Sequence, residues 1–196
     1  RQPDGSAYLF YFPTATPGTA NILPGYGTIT TDPVYSVVSG LYASGFNLSI
    51  SNPDPECVIH YTIDGAEPTE ASPTYSGTIS IHSMTGTPDT LSLIQTTIPS
   101  SSHLQDFWEP PRSEVFKGQV IRARAYQAGA YPSKIITNSY FVDSNILTRF
   151  QMPVVSLVSA YENWFGWDTG IMIAGSHYDG VNWDTLKSTA EEFFKE

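Results

Sequence analysis

Asp168-Thr169-Gly170 has the form in which a catalytic aspartate is presented for hydrolysis by a carboxylate pair, a chemistry that needs a second acid to share the proton. The chain carries a single copy, and the flanking Trp167 and Ile171 to Ile173 read instead as a turn leading into a buried strand. His60, His82, His103 and His177 lie too far apart for the helical or hairpin spacing of metal ligands, and are assigned to surface or strand faces. The single cysteine, Cys57, has no disulfide partner within the chain and reads as a small buried hydrophobe at the start of a strand. Asp64 and Glu67 offer carboxylates to a cation, but calcium takes roughly six to eight oxygen ligands. The turn supplies few, so capping the backbone is the expected task of Asp64. Gly25-Tyr26-Gly27 lacks the third glycine and the strand-to-helix setting of a phosphate cradle. No catalytic residue, metal ligand set or cofactor is expected.

Aromatic residues are the other group with chemical potential. Phe107 and Trp108 stand before Pro110-Pro111, and Tyr161, Trp164, Trp167, Tyr178 and Trp183 crowd the C-terminal quarter. Flat rings stack on sugars, which makes Phe107, Trp108, Trp164, Trp167 and Trp183 the candidate ligand-binding residues. The competing reading is packing, in the core or between domains for Trp108 and against the remainder of a larger domain for the tail aromatics; packing is preferred.

Bulk properties narrow the partners. The net charge is −10 and the nine Lys and Arg are scattered, so nucleic acid and anionic membrane surfaces are excluded as main partners. No apolar run approaches the roughly 18 residues of a membrane span, and no charged-then-apolar leader precedes Arg1. The chain reads as a mature or excised piece of something longer. Hydrophobic residues at 40% and charged residues at only 14%, with abundant Ser, Thr and Tyr, favour β-structure in a secreted setting.

The element around which the chain is organised is the strand Val58-Ile59-His60-Tyr61-Thr62-Ile63, with Ile59, Tyr61 and Ile63 facing a core and His60 and Thr62 facing away. Asp64, Gly65 and Pro68 end it in a structural turn, Gly65 by tolerating positive φ, Asp64 by bonding its own backbone, Pro68 by fixing φ. Val120 to Tyr126 alternates Ile121, Ala123 and Ala125 against Arg122 and Arg124 and is its expected sheet partner. Further strands are predicted at 34–42 (interrupted by Gly40), 46–50, 78–81 and 135–142. Residues 82–111, rich in Ser, Thr and Pro, form a long insertion of the kind that is more often functional than accidental. Tyr8 to Phe12 predicts one strand in an otherwise extended arm, and 22–33 a linker. Beyond Asp143, Met152 to Val158 predicts an apolar strand, Tyr161 to Phe165 a helical turn, Gly170 to Gly175 another strand, and Thr185 to Lys195 a helix capped by Asp184. The Asn47-Leu48-Ser49 sequon, inside a strand, is treated as chance.

The pattern Tyr61-Thr62-x-Asp64-Gly65-x-x-Pro68-Thr69, with Tyr75-x-Gly77, Ile121-x-Ala123-x-Ala125, Tyr131-Pro132-Ser133 and Tyr140-Phe141, resembles the chitobiase/β-hexosaminidase C-terminal-type domain. That resemblance implies a non-catalytic, fibronectin-III/immunoglobulin-like β-sandwich over residues 34–143, in a mainly β chain with a long insertion and a small α+β segment after it. Arg1-x-Pro3-Asp4-Gly5-Ser6 with Thr16-Pro17-Gly18 and Asn21 is similar to the end of a lamin-tail domain, over residues 1–21. Met152-Pro-Val-Val-Ser-Leu-Val158, Asn163-x-Phe165, Asp168-x-Gly170-Ile171 and Asn182-Trp183 resemble the opening of a spore-coat-protein-H-like (CotH) domain, an atypical kinase-like family, over residues 144–196. The nucleotide- and metal-holding residues of that family would lie further along, so none is carried over onto this chain. The resemblances imply a spacer and docking module of a secreted or surface bacterial protein, partnered by the rest of its own polypeptide. Two alternatives stand beside it: a carbohydrate-binding module gripping a glycan, and part of a kinase-like enzyme active only in the full-length protein. Exposed apolar strands after residue 150 also predict self-association.

Overall fold

The structure is a computed structural model and describes residues 7–21, 24–96, 109–150 and 152–173. The chain divides into two compact units, one made of residues 1–84 and 117–158, the other of 85–116 and 159–196. Among the described residues the eight strands all belong to the first unit, and they build a β-sandwich of the immunoglobulin/fibronectin-III kind.

Its larger sheet has the order β2-β8-β7-β5, formed by Gly40–Tyr42, Ile136–Val142, Gln119–Tyr126 and Val58–Thr62. The expected partnership is present at one side of this sheet: β5 and β7 are antiparallel, with Ile59 opposite Ala125 and Tyr61 opposite Ala123. β8 pairs antiparallel with β7 and parallel with β2. The facing layer consists of two short ladders, β1 (Val34–Tyr35) with β4 (Ile50–Ser51), and β3 (Phe46–Leu48) with β6 (Ile79–Ile81). Leu48, Ile50 and Ile81 from this layer meet Ile59, Ile121, Ala123, Ala125, Tyr140 and Val142 from the other. Burying each large aliphatic contributes about 1.5–3 kcal/mol. Two tyrosines tie the layers together. Tyr140 is wholly buried and donates its hydroxyl to the Val37 carbonyl at 2.7 Å, while Tyr35 donates to the Ile136 carbonyl at 3.0 Å.

Several expected strands are divided. The run 34–42 breaks over 36–39 and not at Gly40, which opens β2, and its halves join opposite layers. The run 46–50 splits at Ser49, whose backbone pairs with Ser36 while β3 and β4 turn to different partners. Gly45 sits where a Cβ would come within 2.6 Å of the Ile81 carbonyl, so the entry to β3 needs glycine.

The largest correction concerns Met152 to Val158. It forms no strand, because none of its backbone groups enters a ladder with the sheet. It runs extended across the outer face of β2 and β8 with Val154, Ser156 and Val158 toward that face. Val155 and Leu157 point outward, Leu157 being 74% exposed. Before it, Ile146–Arg149 forms a short helix, α1, which the sequence reading did not anticipate; Ile146 is buried and Arg149 reaches back to Asp143 at 3.2 Å.

The arm also differs from expectation. Tyr8 to Phe12 contributes one bridge, Tyr11 with Tyr26, and residues 28–30 of the expected linker attach to Tyr131. In the second unit, Leu91–Leu93 is a 3-10 turn and Tyr161–Phe165 is the helical turn α2. Residues 171–173 are bends, with Ile171 and Met172 exposed, so the described part of 170–175 is neither strand nor buried. The helix at 185–195 lies outside the described residues.

Candidate functional site

The richest cluster of polar side chains lies at the turn after β5, on the outer face of the larger sheet. Gly65 takes φ +85°, and the Asp64 carboxylate accepts the Ala66 N–H at 3.0 Å. Thr62 donates its hydroxyl to the Ala66 carbonyl at 2.6 Å. Above this turn sits Arg122, only 8% exposed, which donates Nη1–H to the Gly65 carbonyl at 2.8 Å and Nε–H to the Thr137 hydroxyl at 3.3 Å. Glu67 approaches the same guanidinium at 3.7 Å from a carboxylate that is 61% exposed. Pro68 is fully buried, and its carbonyl accepts the Tyr126 hydroxyl at 2.9 Å.

Next along β5, His60 holds its Nδ1 at 2.7 Å from the Ser72 carbonyl and meets the Tyr126 ring edge-on at 5.4 Å. Arg124 stacks over Tyr126 at 5.7 Å and donates to the Ser133 carbonyl at 2.8 Å. Burial pushes the Tyr126 hydroxyl above the usual phenol range, with Arg124 opposing the shift. The network is thus assembled from strands β5 and β7, Thr137 of β8 and the returning segment 64–73; Pro73 at its end and Tyr75 just beyond it bond the free edge of β5.

These contacts correct the simple alternation. His60 is buried instead of facing solvent, and Ile63, read as a core residue, is 67% exposed. The segment 64–73 covers the nominally polar face of β5 and β7, while β5 ends at Thr62, so Ile63 leaves the sheet before it reaches the core. Cys57 is half-buried beside the core one residue before β5 begins. Burial pushes its thiol up, the Thr31 hydrogen bond opposing in part, which disfavours the nucleophilic thiolate.

A shallow groove of about 520 Å³ lies on the same outer face, lined by Leu41, Thr137, Ser139, Phe141, Val154 and Ser156 among others. Ser156 and Ser139 share a hydrogen bond at 2.9 Å across it. Among the described residues no ionisable side chain lines it.

Of the aromatic candidates, Phe107, Trp108 and Trp183 lie outside the described residues, as do His103, His177 and Tyr178. Trp164 is half-buried in α2, and Trp167 is 59% exposed in the turn that follows. Tyr161 and Phe165 meet at 5.5 Å with their planes 42° apart, so they do not form one flat surface. Asp168 is exposed in that turn, where Thr169 bonds the Glu162 carbonyl and Gly170 the Gly166 carbonyl. Among the described residues no three His, Cys, Asp or Glu side chains converge as a metal set, and no helix is long and apolar enough to cross a membrane. The buried arginine was not legible from the sequence. Its only trace was an arginine placed across from Thr62, beside a turn whose carbonyls need donors.

The architecture and this turn define the class of the first unit, a two-layer sandwich domain of the immunoglobulin/fibronectin-III type. Residues 37–96, which begin in this unit, match the family model of the Chitobiase/beta-hexosaminidase C-terminal domain. The matched stretch carries β2 to β6 and the Asp64–Pro68 turn, and β7 and β8 beyond it complete the sheet. It includes neither residues 1–21 nor 144–196, so it lends no support to the lamin-tail and CotH expectations for those stretches. No curated protein and no solved structure matches the chain.

Proposed function

We propose that the chain is a non-catalytic β-sandwich spacer and docking module of a secreted or surface-attached bacterial protein, whose partner is the rest of its own polypeptide. On this reading residues 144–196 open a CotH-like domain and residues 1–21 close a lamin-tail-like one, and any kinase-like activity belongs to the full-length protein.

The observation that carries the proposal is how the buried polar side chains are employed. The His60, Arg122 and Ser133 side chains are bonded to backbone groups of the sandwich and the Ser139 hydroxyl to that of Ser156, while among the described residues the Thr30 hydroxyl has no partner. A catalytic site needs groups poised toward a substrate; here they hold a corner and a loop in place. The match to an accessory-type domain supports the same conclusion. The 42° tilt between the Tyr161 and Phe165 rings gives no support to a flat sugar platform.

The test is a glycan-array screen of the chain beside Trp108→Ala and Trp167→Ala variants. Silence from all three is expected. Binding that either substitution abolishes would replace the spacer reading with carbohydrate recognition and name a contact residue.

A further inference from the structure

Residues 7–33 behave as an arm and a linker in sequence, with proline and glycine spacing that permits only turns and extended chain. In the structure one residue of the sandwich, Tyr131, fastens several of them. Tyr131, in the connection between β7 and β8, donates its N–H to the Thr28 carbonyl and accepts the Thr30 N–H, both at 2.8 Å. Both backbone groups of one residue are therefore committed to the linker, which adds to it as a parallel bridge at Ile29. The side chain is committed as well. The Tyr131 ring meets Tyr26 at 5.7 Å, near edge-on, and Tyr11 at 6.3 Å. Tyr11 and Tyr26 in turn exchange two backbone hydrogen bonds at 2.9 Å. Three segments distant in sequence thus converge on one tyrosine. Two further bonds fasten the stretch that follows: Asp32 accepts the Lys134 N–H at 3.0 Å, and Asn52 donates to the Thr31 carbonyl at 2.8 Å.

We infer that Tyr131 is a clamp that converts the arm around Tyr11 and residues 26–32 from a tether into a fixed brace on the sandwich. The consequence is mechanical. A flexible linker of this length would let its two ends wander with the square root of residue number, whereas a clamped one fixes the direction in which the arm leaves the domain. The significance of that direction for a neighbouring domain rests on the spacer reading; the clamp itself rests on geometry alone. The ring contributes by packing and the backbone by pairing. Truncating the ring weakens the Tyr11–Tyr26 end first and leaves the hydrogen-bond pair to residues 28–30 formally intact.

Amide hydrogen exchange on the whole chain, with and without Tyr131→Ala, tests it. In the unsubstituted protein the Tyr11, Tyr26, Thr30 and Tyr131 amides are expected to exchange about tenfold or more slower than unstructured peptide. In Tyr131→Ala, Tyr11 and Tyr26 should move to near-unstructured rates while Ala123 and Tyr140, inside β7 and β8, keep their protection. Unprotected arm amides in the parent protein would overturn the clamp. So would an equal loss of protection in arm and sheet, which would make Tyr131 an ordinary core residue. Either result leaves the glycan-array test of function untouched, and a positive array leaves the clamp untouched.

Discussion

Replacing Arg122 with methionine keeps most of the buried stem and removes the guanidinium, so it isolates what that group does at the Asp64–Pro68 corner. The bond to the Gly65 carbonyl, at 2.8 Å and largely out of water, is charge-assisted and carries about 1.5–3 kcal/mol. The contact to Thr137, at 3.3 Å, is at the long end of hydrogen-bond range and adds a fraction of that. The Glu67 carboxylate stands 3.7 Å away and 61% exposed, which puts the ion pair at about 0–0.5 kcal/mol after screening. Arg122→Met should therefore cost about 2 kcal/mol, Arg122→Ala about 3–4 with the lost packing, and Glu67→Gln no more than about 0.5. Urea unfolding measures the series, followed by far-UV circular dichroism because all four tryptophans lie outside β1 to β8. With an m-value of about 2 kcal/mol/M, the methionine variant should lower the midpoint by about 1 M at unchanged m. A Glu67→Gln loss as large as that of Arg122→Met would refute the reasoning, since the exposed ion pair and not the carbonyl cap would then hold the corner.

Three more outcomes are expected. Thr30 is 2% exposed and its hydroxyl has no hydrogen-bond partner among the described residues, so Thr30→Val should stabilise the sandwich by about 1 kcal/mol in the same urea assay, and a destabilisation would mean the hydroxyl is satisfied in solution. Burial, with Tyr42 adding to it, holds the Tyr140 hydroxyl well above the usual phenol range. The unfolded chain therefore loses that proton first, and stability should fall as pH rises above about 10, by up to about 1.4 kcal/mol per pH unit for this residue; Tyr140→Phe should flatten the slope by that amount and cost about 1 kcal/mol at neutral pH through the lost bond to Val37. Leu157 is exposed on the extended segment after α1, so light scattering should show concentration-dependent association that Leu157→Lys abolishes with stability changed by less than about 0.5 kcal/mol, and a parent protein that stays strictly monomeric would refute this.

The strands β5 and β7 and the turn between Thr62 and Pro68 are legible in the chain because the alternation within each strand and the turn chemistry are local, although the pairing itself joins residues as far apart as Val58 and Tyr126. Alternation marks which residues share a face, and Asp-Gly marks where the ladder must stop. The divided strands could not be read that way. Val34 to Tyr42 and Phe46 to Ile50 each pass from one ladder to another, and the backbone at Ser36 and Ser49 satisfies its own groups between them. Nothing in the side chains of those runs records that change of partner. Met152 to Val158 failed for the complementary reason: its composition is that of a strand buried on both faces, but a strand also requires a neighbour for its backbone, and the sheet offers it a face instead of an edge.

The same limit explains why the polar network escaped detection. Period-two alternation assumes one covered face and one wet face, so it places His60 and Arg122 on the face away from the core. In the fold that second face is covered twice, by residues 64–73 over β5 and β7 and by residues 154–158 over β8 and β2. Neither cover is regular structure, so neither has a periodic signature. The 64–73 cover must satisfy its own carbonyls, and it does so with the polar side chains of the strands beneath: Arg122 serves Gly65, Tyr126 serves Pro68, and His60 engages Ser72. An arginine in mid-strand therefore marks a loop folded back on the sheet when a turn lies across the ladder from it. Arg124 follows the same logic at Ser133. The polar residues of this sheet are spent on holding its own loops, which is why the place richest in chemical groups is a structural corner.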